Sequence, residues 1–394
     1  MKKIILQKGK EKSIERFHPW IFSGAVKRQD KDLNVGDIVE VFDAEGHYLA
    51  TGHYHPSSIC VRIFSFDQVN PGKEFWKRKI ENALHYRQNL NFFHRPDLTI
   101  FRLINGEGDG LPGFIADWFD GNVVFQFHSY GMYLLREVFR DIFKEIFGME
   151  LLSIYDKSSA TLLDCPDLEI ADEWLYGSSN EIIVKEYGIP FRVDVVNGQK
   201  TGFFIDQREN RRLVGKFSQG RKVLNMFCYS GGFSLHALAH GAELVHSVDI
   251  SKKAIELTKD NASLLGHEVC RRHEAYAEDV FEFLNAMPNG FYDLIILDPP
   301  AFAKHYKAKE QGLKGYRNIN KRAMEKIKCG GLLFTFSCSQ AISREDFQTM
   351  LFSAAALAHK EVRILKHLEQ GIDHPTDIFH PEGSYLKGLL VEVQ

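Results

Sequence analysis

From Lys222 onward, short apolar runs alternate with helix-period segments: Val223 to Phe227, Ser234 to His240, Leu244 to Asp249, Lys252 to Leu265, Val280 to Leu284, Leu294 to Leu297, Ile319 to Lys328 and Leu332 to Phe336. Runs that stay apolar without alternating are the pattern of strands buried on both faces, and the helices between them are the crossovers that parallel pairing requires. The expected fold class is therefore α/β, with a mostly parallel, doubly wound sheet. Such sheets bind ligands at the carboxyl ends of their strands. Two of these ends carry chemistry: Leu294 to Leu297 runs into Asp298-Pro299-Pro300, and Leu332 to Phe336 runs into Ser337-Cys338-Ser339. If the two strands are neighbours, ~5 Å separates them, and both groups can address one substrate atom.

Another strand end carries a glycine turn. Residues 223–242, VLNMFCYSGGFSLHALAHGA, run strand, turn, helix, and Gly231 and Gly232 let a ligand approach the backbone. Asp249 ends the next strand, eighteen residues after Gly231, where a carboxylate takes ribose hydroxyls. It also stands ahead of Ser251, where an acid favours a helix N-terminus. Asp279 either bonds an adenine amine or caps the helix that follows it. A nicotinamide dinucleotide needs its pyrophosphate at the helix start under a full G-x-G-x-x-G, whereas this turn has only Ser230-Gly231-Gly232-Phe233. S-adenosylmethionine has a ribose and a carboxylate but no phosphate, so a shorter turn suffices. With Asp249, Asp279 and Asp298 at successive strand ends, S-adenosylmethionine is the expected cofactor.

A methyl group on a sulfonium needs a nucleophile, and a pyrimidine C5 becomes one only after something adds to C6. A cysteine thiolate can do so by covalent catalysis. Cys338, with polar flanks just past its strand, is the expected nucleophile, although a lone cysteine also serves as a small buried hydrophobe. A free thiol has a pKa near ~8.5, so Cys338 needs a cation or dipole nearby. Asp298 is expected to hydrogen-bond the ring edge at N3 or the exocyclic amine, and the two prolines fix its loop. Cys60, Cys165, Cys228, Cys270 and Cys329 lack such a context and read as structural. The basic, aromatic stretches Lys304-His305-Tyr306-Lys307 and Lys314-Gly315-Tyr316-Arg317 suit RNA stacking or a solvated loop.

With 394 residues, the chain is long for one core. Residues 1–75 read as short strands with turn punctuation, a small β-barrel, and a helix follows from about Lys73 to Asn91. Residues 76–185 mix strands (Val123 to Phe127, Leu151 to Tyr155) with a helix near Tyr133 to Phe147, which suggests a separate α+β domain. Residues 186–394 form the third domain, opening with a hairpin from Phe191–Val195 to Gly202–Asp206. The net charge of -3 gives no global polyanion signal, so a nucleic-acid face would be a local patch. Lys2, Lys3, Lys8, Lys10 and Lys12 read as a solvated tail or phosphate contacts. The six cysteines show no C-x-x-C spacing, metal-ligand spacing is missing, and no signal pattern or membrane-length apolar run stands out. A cytoplasmic protein without a metal or membrane partner is expected.

Taken together, Lys200-Thr201-Gly202-Phe203-Phe204-Ile205-Asp206-Gln207-Arg208, the 223–242 motif, Asp298-Pro299-Pro300 and Ser337-Cys338-Ser339 resemble the bacterial 23S rRNA cytosine-C5 methyltransferases of the large-subunit methyltransferase I family. The resemblance extends to Gly36-Asp37-Ile38-Val39 with Gly52, which looks like a PUA domain and implies RNA docking. It also covers Glu107-Gly108-Asp109-Gly110-Leu111-Pro112-Gly113, equally readable as turn chemistry, and the ending His380 to Gly388. It implies a seven-stranded class I methyltransferase domain, Cys338 as nucleophile, and a cofactor held by Phe227, Tyr229, Ser230, Gly231, Gly232, Asp249, Ile250, Asp279 and Asp298. Gln207 and Arg208 would lie beside the methionine end, or form a helix start over the cofactor. Large-subunit 23S rRNA is the implied partner and a homodimer is hinted at. One departure stands out: another branch of RNA cytosine methyltransferases has a second cysteine just after the Asp-Pro-Pro motif, where this chain has Ala301, so Cys338 is expected to be the only working thiol. The alternatives are methylation of another RNA base, such as a guanine nitrogen, a non-catalytic RNA-binding assembly factor, and a nicotinamide-dependent dehydrogenase.

Overall fold

The alternation after Lys222 produces seven strands: β1 (Lys222–Met226), β2 (Leu244–Asp249), β3 (His273–Ala277), β4 (Leu294–Leu297), β5 (Gly331–Ser337), β6 (Val362–Leu368) and β7 (Lys387–Val393). The computed structural model describes residues 1–162, 169–179, 181–303 and 305–394, so Cys165 and Lys304 lie outside the described residues. The sheet order is β3-β2-β1-β4-β5-β7-β6. The pairs from β3 to β5 are parallel, whereas β7 runs antiparallel to both β5 and β6. Val223, Val245, Leu294, Ile296, Leu332 and Phe334 enter one apolar core. Their chain neighbours Leu224, Ile295, Leu297 and Leu333 enter another. Successive side chains of a strand point to opposite faces, so both faces are covered, and unbroken apolar runs are what such strands need.

The chain order reverses between β1 and β4, the switch point at which doubly wound sheets open a crevice. The register brings the strand exits level there: Met226 pairs with Leu297, and Leu297 with Thr335. Asp298 is therefore level with Phe336, two residues before Cys338.

By contacts the chain divides into two compact units. The first comprises Met1–Val184, Val193–Phe203 and Ile372–Gly383, and the second Lys185–Arg192, Phe204–Gly371 and Ser384–Gln394. The second unit carries the seven-stranded sheet.

The first unit has two sheets. In the six-stranded one, the edge strands Trp20–Phe22 and Val26–Gln29 are consecutive in the chain, joined by Ser23–Ala25 alone, so the sheet curls to bring its edges together. Ile4, Leu6, Val39, Val41, Val61 and Ile63 fill its interior. The basic N-terminus is no loose tail: Lys2–Leu6 is a strand of this sheet, and Lys2 bonds Asp37 at 2.8 Å. The second sheet has five strands and is flanked by helices Lys73–Asn89 and Arg136–Phe147.

Two sequence expectations need correction. The hairpin forms earlier than 191–206, between Ile182–Glu186 and Ile189–Val193. Tyr187 and Gly188 both take positive φ, 51° and 82°, as a two-residue type I′ turn requires. The helix near Tyr133 to Phe147 begins at Arg136, after a separate turn over Tyr130–Tyr133.

The Glu107 to Gly113 motif is turn chemistry with partners. Glu107 accepts from Trp20 Nε1 at 2.8 Å and Arg62 Nη1 at 3.0 Å, while Asp109 pairs with the fully buried Arg87. Arg87 also donates to the Asp373 carbonyl at 2.8 Å. The His380 ring packs 4.4 Å from Trp20. These bonds tie the segment between β6 and β7 into the first unit.

Candidate active site

Just past β1 the backbone enters the left-handed region three times, at Phe227 (φ 59°), Tyr229 (φ 47°) and Gly231 (φ 78°). Such conformations are costly for non-glycine residues and persist where the surroundings over-determine them. Here Tyr229 N donates to Asp249 Oδ2 at 3.1 Å, Thr258 Oγ1 donates to the Tyr229 carbonyl at 2.7 Å, and Asn261 Nδ2 donates to the Ser230 carbonyl at 3.0 Å. The turn delivers helix α1 (Gly232–Ala239). The space the glycines leave faces protein, which differs from the expectation of ligand approach through that gap. A Cβ on Gly231 would lie 2.8 Å from Thr258, and one on Gly232 would lie 2.7 Å from the Arg211 stem. Arg211 is itself held by Glu186 through two bonds of 2.7 and 2.6 Å.

Asp249 is half-buried at the end of β2 and also accepts from Ser251 N at 2.9 Å, so its carboxylate is aimed by backbone donors on both sides. A carboxylate accepts about four hydrogen bonds, so two ribose hydroxyls can still be taken. Ile250, next to it, is 73% exposed, an apolar surface at the strand end. Asp279 caps the helix Val280–Ala286, accepting from Phe281 N at 2.8 Å and Glu282 N at 3.1 Å through Oδ1. The helix cap forms through Oδ1, and Oδ2 takes no part in it.

Asp298 is joined to the segment that resembled the methionine end. Gln207 Nε2 donates to Asp298 Oδ1 at 3.1 Å; Asn210 Nδ2 donates to Gln207 Oε1 at 2.6 Å and to the Glu369 carbonyl at 3.1 Å. Arg208 is fully buried at the start of helix α2 (Arg208–Lys216), with Nε donating to Glu209 at 3.2 Å.

Cys338 is half-buried just beyond β5. Strand spacing and rise put its Cα roughly 8 Å from that of Asp298. The two loops are pinned together by Tyr316 and Ser339. Ala303 N donates to Ser339 Oγ at 3.3 Å, Phe302 N to Tyr316 Oη at 3.4 Å, and the two hydroxyls share a bond of 3.1 Å. On the other side, Lys387 Nζ donates to the carbonyls of Ser339 at 2.6 Å and Ile342 at 2.7 Å. Burial pushes the Lys387 ammonium down to about 8, opposed by the negative charge available at Cys338.

Tyr316 is wholly buried, so it is a strut, not a stacking platform for RNA; Tyr306, 76% exposed, keeps that possibility. Cys60 and Cys228 are buried, with burial pushing their thiols up to about 11 and about 12, as structural residues behave. Cys329 is exposed and packs no core. Sequence reasoning passed over Asn210 and gave no loop-joining role to Ser339 or Lys387, although Ser339 flanks Cys338 in its motif and Lys387 stands in the ending singled out from His380 to Gly388. Among the described residues, no cluster suited to a metal ion occurs, and no helix is long and apolar enough to cross a membrane.

Over its whole length the chain is similar to known proteins. Residues 111–390 match the family described as S-adenosylmethionine-dependent methyltransferase, and residues 4–66 match a PUA-like domain. The chain is 35% identical over 396 residues to the ribosomal RNA large subunit methyltransferase I of Vibrio parahaemolyticus, covering 99% of each chain. It is 36% identical over 397 residues to that of Erwinia tasmaniensis, again covering 99% of each. Among solved structures, a methyltransferase complexed with SAH aligns over 100% of both chains with a TM-score of 0.84 at 22% identity. A SAM-dependent methyltransferase from Streptococcus mutans aligns over the same extent with a TM-score of 0.82. These two share the fold.

Proposed function

We propose that this chain, which belongs to the ribosomal RNA large subunit methyltransferase I family of S-adenosylmethionine-dependent methyltransferases, methylates C5 of a cytosine in large-subunit ribosomal RNA through a covalent bond from Cys338 to C6. The observation that carries this reading is the placement of Cys338 and Asp298 at the carboxyl ends of adjacent parallel strands, with Tyr316 and Ser339 joining their loops.

The head of the sheet fits S-adenosylmethionine: Asp249 retains lone pairs for ribose hydroxyls, Ile250 offers an apolar surface to adenine, and no phosphate cradle is called for. When bound, the cofactor supplies an electrophilic methyl group on a sulfonium that leaves as a neutral thioether. The chain's own residues prepare the acceptor. Cys338 Sγ forms a bond to C6, and the C5=C6 electron pair moves into the ring, making C5 nucleophilic. Asp298 accepts from the exocyclic amine as a carboxylate, or donates to N3 as an acid, and so supports the developing charge. Once C5 carries the methyl group it loses its proton to water. The freed pair re-forms C5=C6, and the Sγ–C6 bond breaks to return the thiolate.

The target base has to leave its stack to reach Cys338, at a cost of a few kcal/mol that is least in a loop. The PUA-like domain is the RNA-docking element in this reading. Incubating the protein with large-subunit ribosomal RNA and labelled cofactor, then analysing the nucleosides, tests it. The expected product is 5-methylcytidine, absent with Cys338→Ala. A methylguanosine product, or full turnover by Cys338→Ala, would favour the purine alternative and overturn this one.

A further inference from the structure

We infer that Lys387 is the cation that holds Cys338 as a thiolate, acting as a positioning residue for the nucleophile; this rests on Cys338 being the attacking group. A thiol at the end of a buried strand ionises poorly unless a positive charge or dipole compensates. The sequence around Cys338 offers none: its neighbours are Phe336, Ser337, Ser339 and Gln340.

The charge arrives from the last strand of the fold. In the antiparallel pair of β5 and β7, Ser337 stands opposite Lys387, which brings a lysine to the level of the strand exit. The side chain is 4% exposed, and Nζ caps two carbonyls of the loop that follows Cys338, those of Ser339 and Ile342. An ammonium has three N–H donors. Two are engaged by these carbonyls, which fix the ammonium within electrostatic reach of the thiol.

A buried lysine is costly, and desolvation lowers its affinity for the proton. Formation of an adjacent thiolate offsets that cost, so the two charges favour each other. The remaining charged groups that face Lys387 are Arg344, which opposes its charge, and Asp346, which favours it. Asp346 is itself paired with Lys309 at 2.7 Å, so it is no spare counter-ion for Lys387, and the charge of Arg344 is met by Glu369 at 3.1 Å. Tyr316, on the far side of Ser339, has its phenol pushed up by burial and stays neutral. Among the described residues, Cys338 is the other group whose negative charge favours the ammonium.

The test uses the full chain without RNA. Alkylation of each cysteine by iodoacetamide is followed by peptide mass mapping between pH 5 and 10, with the exposed Cys329 as internal reference. The expected result is a half-maximal pH for Cys338 at least about one unit below that of Cys329, or about tenfold faster relative alkylation at pH 7. Lys387→Gln, which retains a donor for the carbonyls without the charge, should remove that offset, and Lys387→Arg should keep it. A role confined to bracing the loop would alter stability but leave the Cys338 profile where it was.

Wild-type Cys338 titrating with or above Cys329 overturns the inference however the variants fold. So does a Lys387→Gln profile equal to wild type. If the offset is present but no 5-methylcytidine is made, the lysine–thiolate pair stands and the cytosine reading falls. If 5-methylcytidine is made without the offset, the reverse holds.

Discussion

Gln207 donates its side-chain amide to Oδ1 of Asp298 across 3.1 Å, and the direction of that bond is set from behind by Asn210, which donates to Gln207 Oε1 at 2.6 Å. An amide can be turned either way, and only one orientation presents a donor to the carboxylate; Asn210 selects it. The sequence resemblance put Gln207 beside the methionine end of the cofactor. In the structure its amide is engaged by Asp298, the acid that meets the base in the proposed reaction.

Gln207→Leu should therefore act on turnover more than on binding of the methyl donor. A hydrogen bond to a charged group contributes about 1.5–3 kcal/mol, so kcat is expected to fall roughly 10- to 100-fold while the donor's Kd, measured by calorimetry, changes little. Asn210→Ala should give a smaller fall in the same parameter. A Kd change as large as the kcat change would return Gln207 to the cofactor.

The strut between the loops of Asp298 and Cys338 gives a second expectation. Tyr316→Phe removes the hydroxyl that accepts from Phe302 N and bonds Ser339 Oγ. About 1–2 kcal/mol of stability should be lost, since one buried donor and one hydroxyl lose a partner. The hydrogen bond from Ala303 N to Ser339 Oγ still ties the loops carrying Asp298 and Cys338. A kcat loss of about tenfold with normal donor binding is expected; denaturant unfolding and single-turnover rates separate the two effects.

The sheet was legible because strands buried on both faces are apolar at most positions, and the acids at its exits because a carboxylate is tolerated where the strand leaves the core. Tyr316 was misjudged from its flanks, Lys314 and Arg317. The helix Lys309–Lys326 buries Gly312, Tyr316, Ile319, Asn320 and Ala323, a stripe at intervals of three and four that helical geometry makes readable. Lys387 was not readable in the same way. It sits 49 residues after Cys338, and only the antiparallel return of β7 brings the two together. Asn210 shares a helix turn with Gln207, but the partner that gives the pair meaning, Asp298, lies on another strand end. The segment 372–383 was read with the last domain because it is contiguous with it, whereas its bonds run to Arg87 and Trp20.

Gly232→Ala tests the packing behind the cofactor turn. The new Cβ would lie 2.7 Å from the Arg211 stem, which cannot retreat without breaking its paired bonds to Glu186. Overpacking of this kind costs typically about 1–3 kcal/mol. The thermal midpoint should fall, and S-adenosylmethionine affinity should weaken with it because Tyr229 and Asp249 are set by the same turn. Adding Arg211→Ala would relieve the clash but leave the buried Glu186 without that cation, so the double variant should be less stable than Gly232→Ala and about as stable as Arg211→Ala alone.

Asp156 gives a pH dependence of a different origin. It is wholly enclosed in the five-stranded sheet, where burial raises its carboxyl to about 7 and the Ser158 hydroxyl, its hydrogen-bond donor, only partly opposes the rise. Unfolded, the same group titrates near ~3.9. Between those values the native state holds a proton that the unfolded state has released, so stability falls as pH rises through the window and levels off above about 7. The loss is on the order of 2–4 kcal/mol between pH 5 and 8. Asp156→Asn, which stays neutral, should remove this slope and have the higher thermal midpoint at pH 8, while near pH 5 the two proteins should converge. A wild-type midpoint that rises from pH 5 to 8, or an Asn variant with the same slope as wild type, would show that Asp156 is ionised in the folded sheet.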